Sequence, residues 1–290
     1  DGSKNQTYIV SVTKESPNPL KVAYELQQLD TIKLAEPDLA TTGKLKGFNL
    51  PTDDLLAEQW HLSNTGIAPD GSTLGLKKGA DANVIKAWEK LKSLGSPDCI
   101  VAIIDDGFDL SHPDFKTPNK IISPWDFEYN SKNPTPKTFE PDSGDWHGTS
   151  CAGVAVGASN GKGVVGAAPD CRLMPVRWSA ELSDESIEEW FGYVTTQGAS
   201  IVSCSWGAED NNYVLSTRQH EAIEDCAKKG RNGFGCVIVF AAGNSNHDVN
   251  DPKKNTVDGF AIHPDVICVA ASTSRDQKAD YSNYGKEINI

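Results

Sequence analysis

Five short apolar runs constrain this chain more than any other feature: residues 99–104, 172–176, 200–205, 236–242 and 266–271. Each has the length of a strand, and Val and Ile recur in them. They are apolar at most positions, not at every second one. Strands of that kind need cover on both faces, which is the condition of a parallel sheet between two layers of helix. Helical spacing fills the intervals. Ile187, Trp190, Phe191 and Val194 follow i, i+3, i+4, i+7 spacing behind Ser183, Asp184 and Glu185, which suit a helix start. Leu215, Ala222, Ile223 and Cys226 line a second helix that Gly230 can end. The alternation predicts an α/β fold with a mostly parallel sheet and helices on both faces. In such sheets ligands bind at the carboxyl ends of the strands. Asp105, Ser205 and Asn244 fall at such ends, so one rim of the sheet is the predicted site.

The N-terminal part reads differently. Residues 8–12 and 31–35 look like strands, and Leu20, Val22, Ala23, Leu26 and Leu29 between them lie near helical spacing. Residues 1–45 are therefore predicted to be a small β-α-β segment, with a linker over residues 42–51 that holds two glycines and a proline. Residues 46–290 form the larger part. No apolar run approaches the ~20 residues of a membrane helix, so no membrane span is expected. The net charge of −13 opposes binding to nucleic acid and favours basic partners. The polar start Asp1-Gly2-Ser3-Lys4, without Met, reads as a processed or excised segment. The seven cysteines show no CxxC spacing. Cys99, Cys204, Cys236 and Cys268 lie in or beside strand-like runs, as buried thiols that act as small hydrophobes; one or two disulfides are the alternative. Their compartment is only weakly constrained.

Three short stretches carry chemistry. Val101-Ala-Ile-Ile-Asp-Asp-Gly107 puts a carboxylate at the end of an apolar run, and Asp105 and Asp106 both qualify by type. Trp146-His-Gly-Thr-Ser-Cys-Ala-Gly153 puts His147 at the start of a small-residue helix. Phe240-Ala-Ala-Gly-Asn-Ser245 puts the Asn244 carboxamide after another apolar run. Taken singly, an Asp-Asp-Gly is a plain turn and an Asn after Gly caps one. Together they supply an orienting carboxylate, a general base and an oxyanion donor.

In that order the stretches resemble the subtilase family of serine proteases. Ile103-Ile-Asp-Asp-Gly107 with His112-Pro-Asp-Phe115 resembles its aspartate motif, and His147-Gly-Thr-Ser-Cys-Ala-Gly153 its histidine motif. Ser203-Cys-Ser-Trp-Gly207 resembles its substrate-binding strand and Ala241-Ala-Gly-Asn244 its oxyanion motif. The resemblance implies a subtilisin-like fold in which Asp105 orients, His147 is the base and Asn244 donates to the oxyanion. It also implies that residues 1–45 are the later part of a propeptide. Gly148-Thr-Ser-Cys-Ala152 imitates the pattern around the family's nucleophile, but Ser150 lies within one helical turn of His147, whereas a triad joins serine and histidine from separate segments. The nucleophile is therefore expected beyond Ile290, on the C-terminal segment or on a second chain. Cys151, one turn from His147, is then the buried thiol of the thiol-containing subtilases.

Finer resemblance is to the kexin and proprotein-convertase branch. Ser205-Trp206-Gly207-Ala-Glu-Asp210 is similar to its Ser-Trp-Gly-Pro-Glu-Asp, and Asp258-Gly-Phe260 to its Asp-Gly-Tyr. That branch implies that Asp210 and Asp258 line a pocket for Arg or Lys at the cleaved position, and that Asp106 serves a second acidic subsite. Carboxylates in a pocket select a guanidinium through charge-assisted hydrogen bonds. The resemblance further implies structural calcium, with Asp53, Asp114 and Asn160 as ligands. Where convertases have a glutamate after Tyr-Ser, Asn283 stands here, which weakens the case for a calcium near the pocket. The expected function is a serine endopeptidase acting on polypeptides, inactive as the 290-residue chain alone. A secreted or periplasmic location is expected, with an intracellular one left open. The alternative is a non-catalytic peptide-binding pseudoprotease of the same fold, which the intact Asp105, His147 and Asn244 argue against. A nucleotide-binding α/β protein is a third reading, and no phosphate-loop pattern supports it.

Overall fold

A computed structural model describes residues 8–11, 19–35, 48–73, 75–140, 143–179 and 181–290. The chain divides into two compact units, Asp1–Gly47 and Phe48–Ile290. In the first, the described residues form one helix, α1 (Pro19–Gln27). Residues 8–11 and 31–35 are not strands. Among the described residues the expected β-α-β segment is therefore represented by its helix alone. Strand propensity registers a chain that fits a pleated, half-buried surface; it does not supply the partner strand and apolar face that a two-stranded pair needs. The remainder of that expectation lies outside the described residues.

The second unit is built on a six-stranded, wholly parallel sheet. Its order is Val266–Val269, Val237–Ala241, Ile201–Cys204, Ile100–Asp105, Arg172–Arg177, Trp125–Asp126. The first five match the five apolar runs. The two-residue edge strand Trp125–Asp126 gave no pattern long enough to read.

Alternate residues of the central strand enter different cores. Ile100, Ala102 and Ile104 pack with Ile187, Trp190, Phe191 and Val194 of α4 (Asp184–Thr196) and with Ile223 and Cys226 of α5 (Thr217–Gly233). Val101 and Ile103 pack with Ala152 and Val156 of α3 (His147–Val156). Helices therefore cover both faces, as the strand pattern demands. A separate apolar cluster sets α2 (Val84–Leu91) against Leu62 and Val165 through Trp88.

Local chemistry fixes the helix ends. The Ser183 hydroxyl accepts from Ser186 N at the start of α4. Ser216 and Gln219 form a reciprocal capping box at the start of α5, so Leu215 lies just before that helix. Regular helix ends at Gly230, where φ and ψ turn to −56° and 157°.

One buried ion cluster ties the sheet to the segment before α3. Arg177 is directly opposite Asp105 in the sheet register. Its side chain pairs with Asp145 and donates to Thr135 O, and its Nε lies 3.2 Å from Asp126 Oδ2 as an ion pair without hydrogen-bond alignment. All three charged side chains are under a tenth exposed. Arg177→Met leaves two buried carboxylates without a counter-charge, which costs about 3–5 kcal/mol. Urea unfolding of the intact protein measures this, and a change under about 1 kcal/mol removes the cluster from the fold's support.

Candidate active site

Because the strands are parallel, their carboxyl ends lie on one rim, and the motif residues gather there. Asp105 is the last residue of its strand and only 3% exposed. Its Oδ1 lies 2.7 Å from His147 Nδ1 and also accepts from Asp106 N. Its Oδ2 is buried with no hydrogen-bond partner among the described residues. The imidazole is 56% exposed, and with Nδ1 engaged, Nε2 is the nitrogen left for a reacting group. The hydrogen bond to Asp105, followed by the Cys151 thiol, raises the His147 pKa above its ordinary value. Cys151 Sγ stands 3.6 Å from Nδ1 and 3.8 Å from Nε2, against the ring. Ser150 is exposed on the same helix.

The small residues after His147 have a definite reason. A Cβ on Gly148 would meet Gly107 O at 2.8 Å and Asp105 Cβ at 2.9 Å, so only glycine lets α3 come this close to the Asp105 strand. Trp146, at the cap position, offers no side-chain bond to the helix. Asp106 supplies it from a distance. Its Oδ2 accepts from His147 N at 3.2 Å and its Oδ1 from Gly148 N at 2.8 Å. The carboxylate expected in a second acidic subsite therefore caps α3, where a negative charge is favoured by the exposed N–H groups. A capping search along the chain misses it because the cap is 41 residues from His147.

Asn244 is exposed on the segment that follows Val237–Ala241. A cavity of about 180 Å³ beside it is lined by Ser205, Trp206, Gly207, Asp210, Asp258 and Asn244, among others. The two acids predicted to share a pocket do share one, together with Glu209 and His247, which the sequence did not single out. Burial pushes the Asp258 carboxyl above its ordinary range, against the pull of backbone hydrogen bonds. Trp206 contributes differently from the expectation. Its indole donates to Ile104 O at 2.9 Å and stacks on Trp178 at 5.4 Å, within an aromatic cluster with Trp190, Phe240 and Phe260. The ring is thus packed against the core beside the cavity that Trp206 lines.

Asp53, Asp114 and Asn160 also come together, away from the rim. Asp53 accepts from Ser159 Oγ, Asn160 N and Gly161 N, and Asn160 Nδ2 donates to Asp114 Oδ1 at 2.8 Å. Both carboxylates are buried.

The model of the subtilase family matches residues 96–290, and the chain belongs to that family. The calcium-dependent protease of Nostoc sp. is 34% identical over 279 residues, 92% of this chain and 38% of the relative. The dibasic-processing endoprotease of Schizosaccharomyces pombe is 34% identical over 200 residues, 68% of this chain and 26% of the relative. The chain thus spans well under half the length of these relatives. Among solved structures, the serine protease of Aeromonas sobria in complex with its chaperone aligns with a TM-score of 0.66 at 23% identity, over 82% of this chain and 42% of that one. That likeness concerns the fold.

Asp105 holds the proton on His147, so Asp105→Asn is expected to bring the imidazole pKa down toward its ordinary ~6.5. A histidine NMR titration of the intact protein reads the shift; an unmoved His147 would show that Asp105 does not govern its ionisation.

Proposed function

We propose that the chain is the Asp-, His- and Asn-bearing part of a serine endopeptidase that cleaves polypeptides after Arg or Lys. The observation that carries this reading is the 2.7 Å Asp105–His147 pair, on the same strand-end rim as the cavity that holds Asn244, Asp210 and Asp258. The nucleophilic serine is assigned to a segment beyond residue 290. His147 Nε2 takes the serine proton as the hydroxyl attacks the scissile carbonyl, and returns it to the leaving amine. Asp105 keeps the imidazole in the tautomer with the proton on Nδ1 and stabilises the imidazolium. The Asn244 carboxamide donates to the developing oxyanion. The backbone of residues 205–207 pairs with an extended substrate.

The Asp258 carboxyl, partly withdrawn from water beside the cavity, gains a charge-assisted partner from an arriving guanidinium. The dibasic-processing relative fits the same preference. Asp258→Asn is expected to lower kcat/KM for arginine substrates by about 10- to 100-fold, the worth of one charge-assisted hydrogen bond, and to leave neutral substrates little changed. Peptides differing only at the cleaved position measure it, and a preference of the parent enzyme for Leu or Phe over Arg removes the assignment. Labelling of the intact protein by a fluorophosphonate separates an enzyme from a peptide-binding pseudoprotease, which would stay unlabelled.

Calcium belongs to the same proposal, in line with the calcium-dependent relative. Asp53 and Asp114 offer buried carboxylate oxygens from separate segments, which suits a hard cation; Asn160 meets Asp114 with its amide nitrogen and would add an oxygen ligand only with that amide turned over. A bound ion would neutralise both acids and fasten the loop around Asn160 to them; it has no part in the chemical step. Added calcium is expected to raise the melting temperature, and Asp114→Asn to reduce the increment. Equal melting in calcium and in chelator overturns the assignment.

A further inference from the structure

Asn244 stands at the tip of a turn with no regular secondary structure of its own, and an oxyanion donor is useful only if it is held still. One buried side chain holds it. Asn283 is 3% exposed and lies 39 residues further along the chain, in a segment of turns. Its Oδ1 accepts from Ser245 N at 2.9 Å and from His247 N at 3.2 Å. Its Nδ2 donates to Ala242 O at 2.7 Å and meets His247 Nε2 at 3.2 Å. Its backbone N donates to Gly243 O at 3.0 Å. These five contacts fall on Ala242, Gly243, Ser245 and His247, on both sides of Asn244. The amide is fully used: both faces of the turn are bound by one group whose oxygen only accepts and whose nitrogen only donates. The turn is shaped around it. Gly243 has φ of +94°, and a Cβ there would fall 2.6 Å from Asn283 Nδ2. Neighbouring backbone bonds, Asn246 N to Tyr281 O and Tyr284 N to His247 O, keep the two segments side by side.

We infer that Asn283 is the positioning residue of the oxyanion turn: it fixes residues 242–247 and so aims the Asn244 carboxamide at the developing charge. The inference rests on the proposed protease activity. It is distinct from any part in substrate binding, since Asn283 acts through Asn244. A carboxylate in its place would set an acceptor against Ala242 O, and an aliphatic group would take away the partner of the buried Ala242 O and of the part-buried Ser245 and His247 N–H groups.

The expected signature is a loss confined to the transition state. In the intact enzyme, Asn283→Leu lowers kcat by about 10- to 100-fold with KM changed less than about threefold, a part of what removing an oxyanion donor costs. Asn283→Asp falls similarly, although it is isosteric. In an Asn244→Ala background the same changes cost less than about threefold more, because the residue acts through Asn244. An unchanged kcat for Asn283→Leu, or an equal loss in both backgrounds, overturns the inference. Backbone hydrogen exchange provides a readout independent of activity. The Ser245 and His247 amides are expected to exchange at least about tenfold faster in Asn283→Leu, while Trp206 and Ile238 amides keep their parent rates. If the parent protein hydrolyses nothing, the proposed function fails; exchange at Ser245 and His247 then decides separately whether Asn283 clasps the turn, and unchanged protection overturns that too.

Discussion

A parallel sheet delivers every strand to the same edge. That constraint puts Asp105, the cavity and the Asn244 turn on one rim, although they are spread from residue 105 to residue 258. Parallel pairing is satisfied only when both faces are covered, so helices must lie above and below. The face that carries α3 then brings His147 over the end of the Asp105 strand. Gly148 sets the separation, because a side chain there would hold the helix away from the carboxylate. Site geometry thus follows from sheet topology and the absence of one Cβ.

Much of this was legible in the sequence, where the signal was local. Strand runs and α4 showed themselves by periodicity, and Ser183 by capping chemistry. Asp105, His147 and Asn244 stood out because small residues and strand ends surround them. What stayed hidden depends on contacts between distant segments. Asp106 read as an acid of a substrate subsite, and nothing near it along the chain signals that it also caps a helix that begins 41 positions later. Asn283 read as the absence of a glutamate, yet its amide gathers a turn. Trp206 read as part of a binding strand, and its ring faces the core. Residues 8–11 and 31–35 have strand composition without strand structure, since composition does not provide a partner.

Charge is handled differently in different parts of the molecule. Arg177 is buried and matched by two carboxylates, so its role is to close a tertiary junction, and its removal leaves like charges behind. Asp258 is half-buried beside the cavity, and desolvation raises its carboxyl pKa against the pull of backbone hydrogen bonds and of His247. The first arrangement joins segments within the fold; the second faces a cavity.

The cap on α3 has a bearing on how such a chain can change over time. Asp105 and Asp106 are adjacent, one bonded to the His147 ring and the other to its backbone. The spacing of Asp105 and His147 is therefore held by two adjacent residues, together with the close approach at Gly148 and the Arg177–Asp145 pair that fastens the chain just before α3. Surface portions of the chain from Gly107 to Trp146 can lengthen, shorten or be exchanged at small entropic cost while the acid–base spacing stays the same. Change in those surface portions leaves the Asp105–His147 contact and the Asp106 cap in place.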